Sequence, residues 1–353
     1  MRKLILFIIL RLGPFQLWRF MRRKDIIILS LHGVMSDHEG TRWNPLRSQY
    51  APSSLKKAIG VLQRHYEFVS LGEAVRMLDG SVKMRPNCMV LTFDDGYRNN
   101  LTHALPILRS KGIPCTLFVA SGHVTRREPF WFDRLDYAIQ HADIDGKEVE
   151  IAGRKVALSG QSREATRDCF ARIRRLAKGA GRRDEEMLRE LAQVTDALES
   201  DSGLSLMDVF ESDDWSALAT WHELAELTTD PAVTIGSHTV NHIRIGFVED
   251  DVATRELAES KASIEDAIGR SCDHFCYPDG SVGERSPKLV EQVGYVSAVT
   301  TQPGWNSGGA DLFQLRRIHL PESDRTDDIL FVASGLADFI NDVRRRLGGR
   351  EEA

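Results

Sequence analysis

Two short segments gather residue types that do chemistry. In Thr92-Phe93-Asp94-Asp95-Gly96-Tyr97, an apolar run ends in two adjacent carboxylates and a glycine. Neighbouring side chains of a strand point to opposite faces, so both acids can act together only where the strand ends and the chain bends. In Gly236-Ser237-His238-Thr239-Val240-Asn241-His242, two histidines stand four residues apart, which brings them to one side of a helical turn. Two imidazoles and one carboxylate can hold a cation and leave positions open for water and substrate, as in a catalytic Zn2+ site. Iron(II) takes similar ligands, so ligand type alone leaves the metal open. Each segment also has a bland reading, as an Asp-Gly turn with a helix cap or as two surface histidines. Their coincidence, each directly after a strand-like run, favours chemistry.

The elements that carry these segments read as strands alternating with helices. Strands are expected at 26–31, 88–93, 114–119, 233–236, 274–277, 296–300 and 316–320. Helical patterns cover 54–65, 71–79 (with capping-box spacing from Ser70 to Glu73), 249–269, and 286–293 closed by Gly294. The alternation predicts an α/β fold with a parallel sheet, and about seven strands predict a barrel or near-barrel. An open doubly wound sheet is the competitor, which periodicity cannot separate. Residues 141–200 break the rhythm, with 24 of 60 residues charged against 27% for the chain. Apolar positions there keep helical spacing: Met187, Leu191, Val194 and Leu198 share one face, and Phe170, Ile173 and Ala177 another. We therefore expect a helical insertion at 134–215 between barrel segments 25–133 and 216–345, followed by a tail, 346–353.

The 353 residues suffice for one such barrel plus the insertion. A net charge of −5 argues against a body built to neutralise nucleic acid. Five cysteines are too few and too irregular for a disulfide scaffold, and Cys88 and Cys115 fall in strand-like runs as small core residues. The first 24 residues hold Arg2, Lys3, Arg11, Arg19, Arg22, Arg23 and Lys24 and no acid. Their apolar run Leu4 to Leu10 is far short of the roughly 20 residues of a membrane span, and no small-residue cleavage site follows it. Segment 1–24 is expected either to pack as a helix on the bottom of the domain or to touch an anionic leaflet. The expected compartment is the cytoplasm, with peripheral contact at the inner membrane as the variant.

Together these motifs resemble the polysaccharide deacetylase family, the NodB-homology group of carbohydrate esterases (family four). TFDDGY at 92–97 is similar to its first motif, SHTVNH at 237–242 to its second, and FCYPDG at 275–280 to its third, usually F-A-Y-P-Y-G. The resemblance covers about 26–125 and 216–320. It implies a distorted (β/α) barrel and metal-dependent removal of acetyl groups from N-acetylated sugars. Carried over residue by residue, it makes Asp95, His238 and His242 metal ligands and Asp94 the general base. The backbone N–H of Asp279 becomes an oxyanion donor, in a loop shaped by Tyr277 and Pro278.

Two histidines compete for the acid that protonates the leaving amine. His32, in Leu29-Ser30-Leu31-His32-Gly33-Val34, resembles the opening of the exopolysaccharide-type branch, whereas His319 resembles a late motif of the peptidoglycan-type branch. His32 is preferred. The arginine that steadies the base in the peptidoglycan-type branch is Cys276 here, and a thiol cannot hold a carboxylate as a guanidinium can. Arg317 is the candidate substitute. Asp279 replaces the family's tyrosine and adds negative charge. Trp131, Phe132 and Trp305 are candidate sugar platforms.

The sequence thus predicts a hydrolase, with Zn2+ as the first-choice cofactor, that removes N-acetyl groups from an aminosugar-containing polysaccharide or glycan. An O-deacetylase or small-molecule amidase on the same site is one alternative. A catalytically silent carbohydrate-binding protein is the other.

Overall fold

The computed structural model describes residues 14–36, 43–47, 49–179, 182–323 and 325–346. The apolar run Leu4 to Leu10 and the end of the tail, 347–353, lie outside the described residues. Strands form at β1 (Ile27–Leu31), β2 (Glu67–Phe68), β3 (Cys88–Phe93), β4 (Cys115–Val119), β5 (Glu148–Ile151), β6 (Arg154–Ala157), β7 (Val233–Ser237), β8 (His274–Cys276), β9 (Ser297–Val299) and β10 (Ile318–His319). The order β10-β1-β3-β4-β7-β8-β9 is parallel throughout, with β2 added beside β3. β1, β3 and β4 are buried along their whole lengths, as expected where both faces of a parallel sheet are covered.

The sheet curls until its end strands nearly meet. Leu315, three residues before β10, donates its N–H to Ala298 O and accepts from Thr300 N–H, so β9 bridges to the approach to β10. This is the distorted (β/α) barrel, not the open sheet. All seven expected strands are present, each within two residues of its predicted limits. The helices Pro52–Leu62, Leu71–Leu78, Asp250–Ile268 and Ser286–Val293 fall where the periodicity put them. The capping box at Ser70 is only half formed: Ser70 Oγ accepts the Glu73 N–H at 3.2 Å, but Arg85 draws the Glu73 carboxylate away.

Between β4 and β7, where the insertion is expected, the chain forms helices Trp131–His141, Arg163–Ala177 and Asp184–Ser202, and also a hairpin that the charge count concealed. β5 and β6 pair antiparallel across a turn in which Ala152 and Gly153 both have positive φ, the twist that suits a two-residue hairpin. Glu148-Val149-Glu150-Ile151 alternates at period two, which favours a strand. The apolar residues of these helices and of the hairpin form one buried cluster with Tyr97, Phe130 and Phe132 at the barrel mouth. A buried ion pair also ties down helix Asp184–Ser202: Asp184 accepts from Arg244 N–H at 2.6 Å and from Arg244 Nε at 2.7 Å.

At the opposite end, helix Pro14–Met21 packs Phe15 and Trp18 inward while Leu17, Phe20 and Met21 are about 60% exposed. No helix among the described residues is long and apolar enough to cross a membrane. Trp305 lies at this same end, between Trp18 and Phe339 with Arg22 stacked 3.8 Å from its ring centre. Its neighbour Asn306 bridges to Ile26 at the start of β1. Trp305 is therefore remote from the strand ends that carry the motifs, which corrects its expected place among the substrate residues.

Candidate active site

The acid pair sits where β3 leaves the sheet. Asp94 still donates its N–H to Leu31 O, continuing the ladder, and Asp95 then departs with φ +75°. This turn lets two adjacent carboxylates serve one site. Gly96 follows at φ +75°, and a Cβ there would stand 3.0 Å from Val119 Cγ1. Four of the seven described non-glycine residues with positive φ, namely Asp95, Thr239, His242 and Asp279, lie in the three motif segments. Each such residue costs about 1–3 kcal/mol, so strain concentrated at one place points to function.

The second motif leaves β7 beside the first. His238 donates its N–H to Val119 O and its Nδ1–H to Cys276 O at 2.7 Å, which frees Nε2 to face Asp95. Asp95 Oδ1 lies 3.6 Å from His238 Nε2 and 3.3 Å from His242 Nε2. The turn between the histidines is held by Glu256, whose Oε2 accepts from Val240 N–H and Asn241 N–H, both at 2.9 Å. Ser260 Oγ adds a bond to Thr239 O.

Asp95 is 1% exposed, and neither of its oxygens has a hydrogen-bond partner. A buried carboxylate so placed is costly unless something else satisfies it. Burial would raise its pKa, yet His242, His32 and His238 hold it below the usual carboxylate range. Burial and His242 hold His238 down at about 4, so its ring stays neutral and able to ligate. Three converging donors with unmet capacity fit a divalent cation. Asp94, His238 and Cys276 also converge, but Arg317 already engages Asp94 and Cys276, and burial pushes the Cys276 thiol well up.

Arg317 reaches Asp94 through two nitrogens, each at 2.7 Å, and also donates to Thr92 Oγ1, Thr300 O and Cys276 Sγ. Burial would raise the Asp94 carboxyl, but Arg317 outweighs it and holds the group at about 2. His32 is partly buried, and its desolvation outweighs the pull of Asp95 and Asp94, so its pKa is lowered. His319 is exposed, and its ring centre is 6.2 Å from that of His32.

The third motif supplies the turn Pro278–Gly280, with Asp279 at φ +54°. Tyr277 points into the core and gives its hydroxyl to Phe313 O at 3.0 Å, so it shapes the loop from beneath. Phe130 and Phe132 wall the site, their ring centres 5.1 and 5.5 Å from that of His242. Trp131 lies beside Lys178 at the rim. Sequence reasoning missed Arg47, whose Nη2 is 3.9 Å from Asp95 Oδ2 and 3.2 Å from Tyr97 Oη. It also missed Glu256, although an acid on the helix face shared by Ala253, Leu257 and Ser260 is a readable anomaly.

Over residues 81–298 the sequence matches the profile of the family described as polysaccharide deacetylase. The chain belongs to that family. A relative from Bacillus subtilis (strain 168), named as polysaccharide deacetylase YxkH, is 22% identical over 255 residues, which is 72% of this chain and 59% of YxkH. The chain therefore spans under two thirds of that relative's length. Among solved structures, the Streptococcus pyogenes deacetylase PplD, in complex with acetate, matches with TM-score 0.56 at 18% identity, covering 88% of this chain and 98% of PplD. IcaB from Ammonifex degensii matches with TM-score 0.55 at 15% identity, over 88% and 97% of the two chains. At these identities the structures establish a shared deacetylase-family fold.

Proposed function

We propose that the chain is a metal-dependent N-deacetylase of aminosugar-containing glycans. The observation that carries this reading is Asp95: a buried carboxylate without hydrogen-bond partners, faced by two imidazole nitrogens, with a second carboxylate next to it in the chain. A divalent cation held by Asp95, His238 and His242, Zn2+ in this reading, would polarise an acetyl carbonyl and acidify a nearby water. Asp94 accepts the proton of the attacking water, and Arg317 keeps it ionised and aimed. The Asp279 N–H is the donor assigned to the developing oxyanion. His32, once protonated, gives that proton to the departing amine and is left neutral. Trp131 offers an apolar face to the sugar ring.

An intact set of ligands with a neighbouring base weighs against a silent binding protein. The test is acetate release from N-acetylglucosamine oligomers and from acetylated xylan. Release from the oligomers alone is expected. Release from xylan alone would make the chain an O-deacetylase.

A further inference from the structure

Arg174 and Lys178 lie four residues apart at the end of helix Arg163–Ala177, so they project from one side of it, where like charges repel. Lys178 Nζ meets Asp279 Oδ2 at 2.5 Å, and it lies 5.5 Å from the centre of the Trp131 ring. The Arg47 guanidinium lies 4.0 Å from the Phe132 ring centre, and its Nη2 is 3.9 Å from both Asp95 and Asp133. Arg174 feels the charge of Arg47 and, against it, those of Asp279, Asp133 and Asp136.

The three cations are not equally provided for. Arg47 and Lys178 have carboxylates beside them. Among the described residues, no carboxylate pairs with Arg174: its Nε is buried without a hydrogen-bond partner, and its guanidinium lies 5.3 Å from the Phe170 ring. Burial and Arg47 both disfavour its charged form. A guanidinium near other cations, its buried Nε without an acceptor, is unfavourable unless a counter-ion joins it. Its planar fork suits a carboxylate or a phosphate ester.

We infer that Arg174, supported by Arg47 and Lys178, binds an anionic group carried by the glycan next to the sugar that loses its acetyl. This rests on the deacetylase reading and narrows it to a preference for anionic over neutral glycans. Carboxylate and phosphate share the chemistry, and the choice of probes separates them.

The test is binding of three probes to the metal-loaded full chain: neutral tetra-N-acetylchitotetraose (chitotetraose below), a hyaluronan tetrasaccharide bearing carboxylates, and di-N-acetylchitobiose bearing a phosphate monoester. At least one anionic probe is expected to bind about tenfold or more tightly than chitotetraose, a margin of roughly 1.4 kcal/mol. The margin should shrink in high salt, disappear in Arg174→Gln and survive in part in Arg174→Lys. Unchanged melting temperature and metal content would show that Arg174→Gln is folded. Equal binding of all three probes, no binding of either anionic one, or an Arg174→Gln loss shared by chitotetraose would overturn the inference. If the preference holds but no acetate is released from any probe, the deacetylase reading fails and the anion site stands.

Discussion

Arg317 reaches past β1 to hold Asp94 at 2.7 Å through both terminal nitrogens, joining the approach to β10 to the end of β3. The same guanidinium touches Cys276, the position at which the resemblance to the peptidoglycan-type branch implies an arginine. The charge is thus delivered to the same place from a different strand. A bidentate grip fixes both the ionisation and the direction of the carboxylate, which one ammonium cannot reproduce.

Arg317→Lys should therefore lower kcat by about 10²-fold while metal content stays at the wild-type level, since about this much rests on a positioned base. Arg317→Ala should also destabilise the fold by roughly 3–5 kcal/mol, because a buried carboxylate loses its counter-charge. Denaturant unfolding and steady-state acetate release check the two. A lysine variant with wild-type kcat would deny Arg317 its positioning role.

Glu256 orders the turn between the two histidines without reaching the site itself. Glu256→Ala should weaken zinc affinity about 10- to 100-fold, the usual scale for removing support behind a ligand. Competition with a chelating dye measures it. Unaltered affinity would mean that the turn holds without this carboxylate.

The candidate acids should separate cleanly. His32 is partly buried and faces the charges of Asp94 and Asp95, whereas His319 is exposed. His32→Ala should reduce kcat by roughly 10²- to 10⁴-fold and His319→Ala by less than about tenfold. The reverse order would move the acid to β10.

His274 gives a pH signature away from the site. It is buried, bonds Ser297 Oγ through Nδ1 at 2.9 Å, and is held down at about 4, chiefly by desolvation. The unfolded chain therefore takes up its proton first. The stability contribution is complete above pH 6.5 and declines as pH falls toward about 4, by roughly 3 kcal/mol in all. His274→Gln should flatten this part of the unfolding profile. An identical slope in wild type and variant would refute the assignment.

What the sequence disclosed follows from how local each signal is. Asp94 and Asp95 close one apolar run and His238 and His242 follow another, so strand and ligand appear together in a few residues. Arg317 was inferable only because Cys276 left a charge unaccounted for. Arg47 and Arg174 gave no such hint. One sits in an irregular loop, and only tertiary packing brings it to Asp95; the other lies in a helix full of charges, where nothing local marks it out. Trp305 misled for a topological reason. The link from β9 to β10 must run from the top of one parallel strand to the bottom of the next, so an aromatic within it can lie at either end. Here it lies at the bottom, against Trp18.

The most direct test measures metal content and acetate release together, from an N-acetylglucosamine oligomer, before and after chelation. Wild type should carry about one metal per chain, lose turnover on chelation and regain it with zinc. Asp94→Asn should keep the metal but lose at least about 10²-fold in turnover, and His238→Ala should lose both. Acetate release that survives chelation, or Asp94→Asn activity close to wild type, would contradict a metal held by Asp95, His238 and His242 beside an acting base.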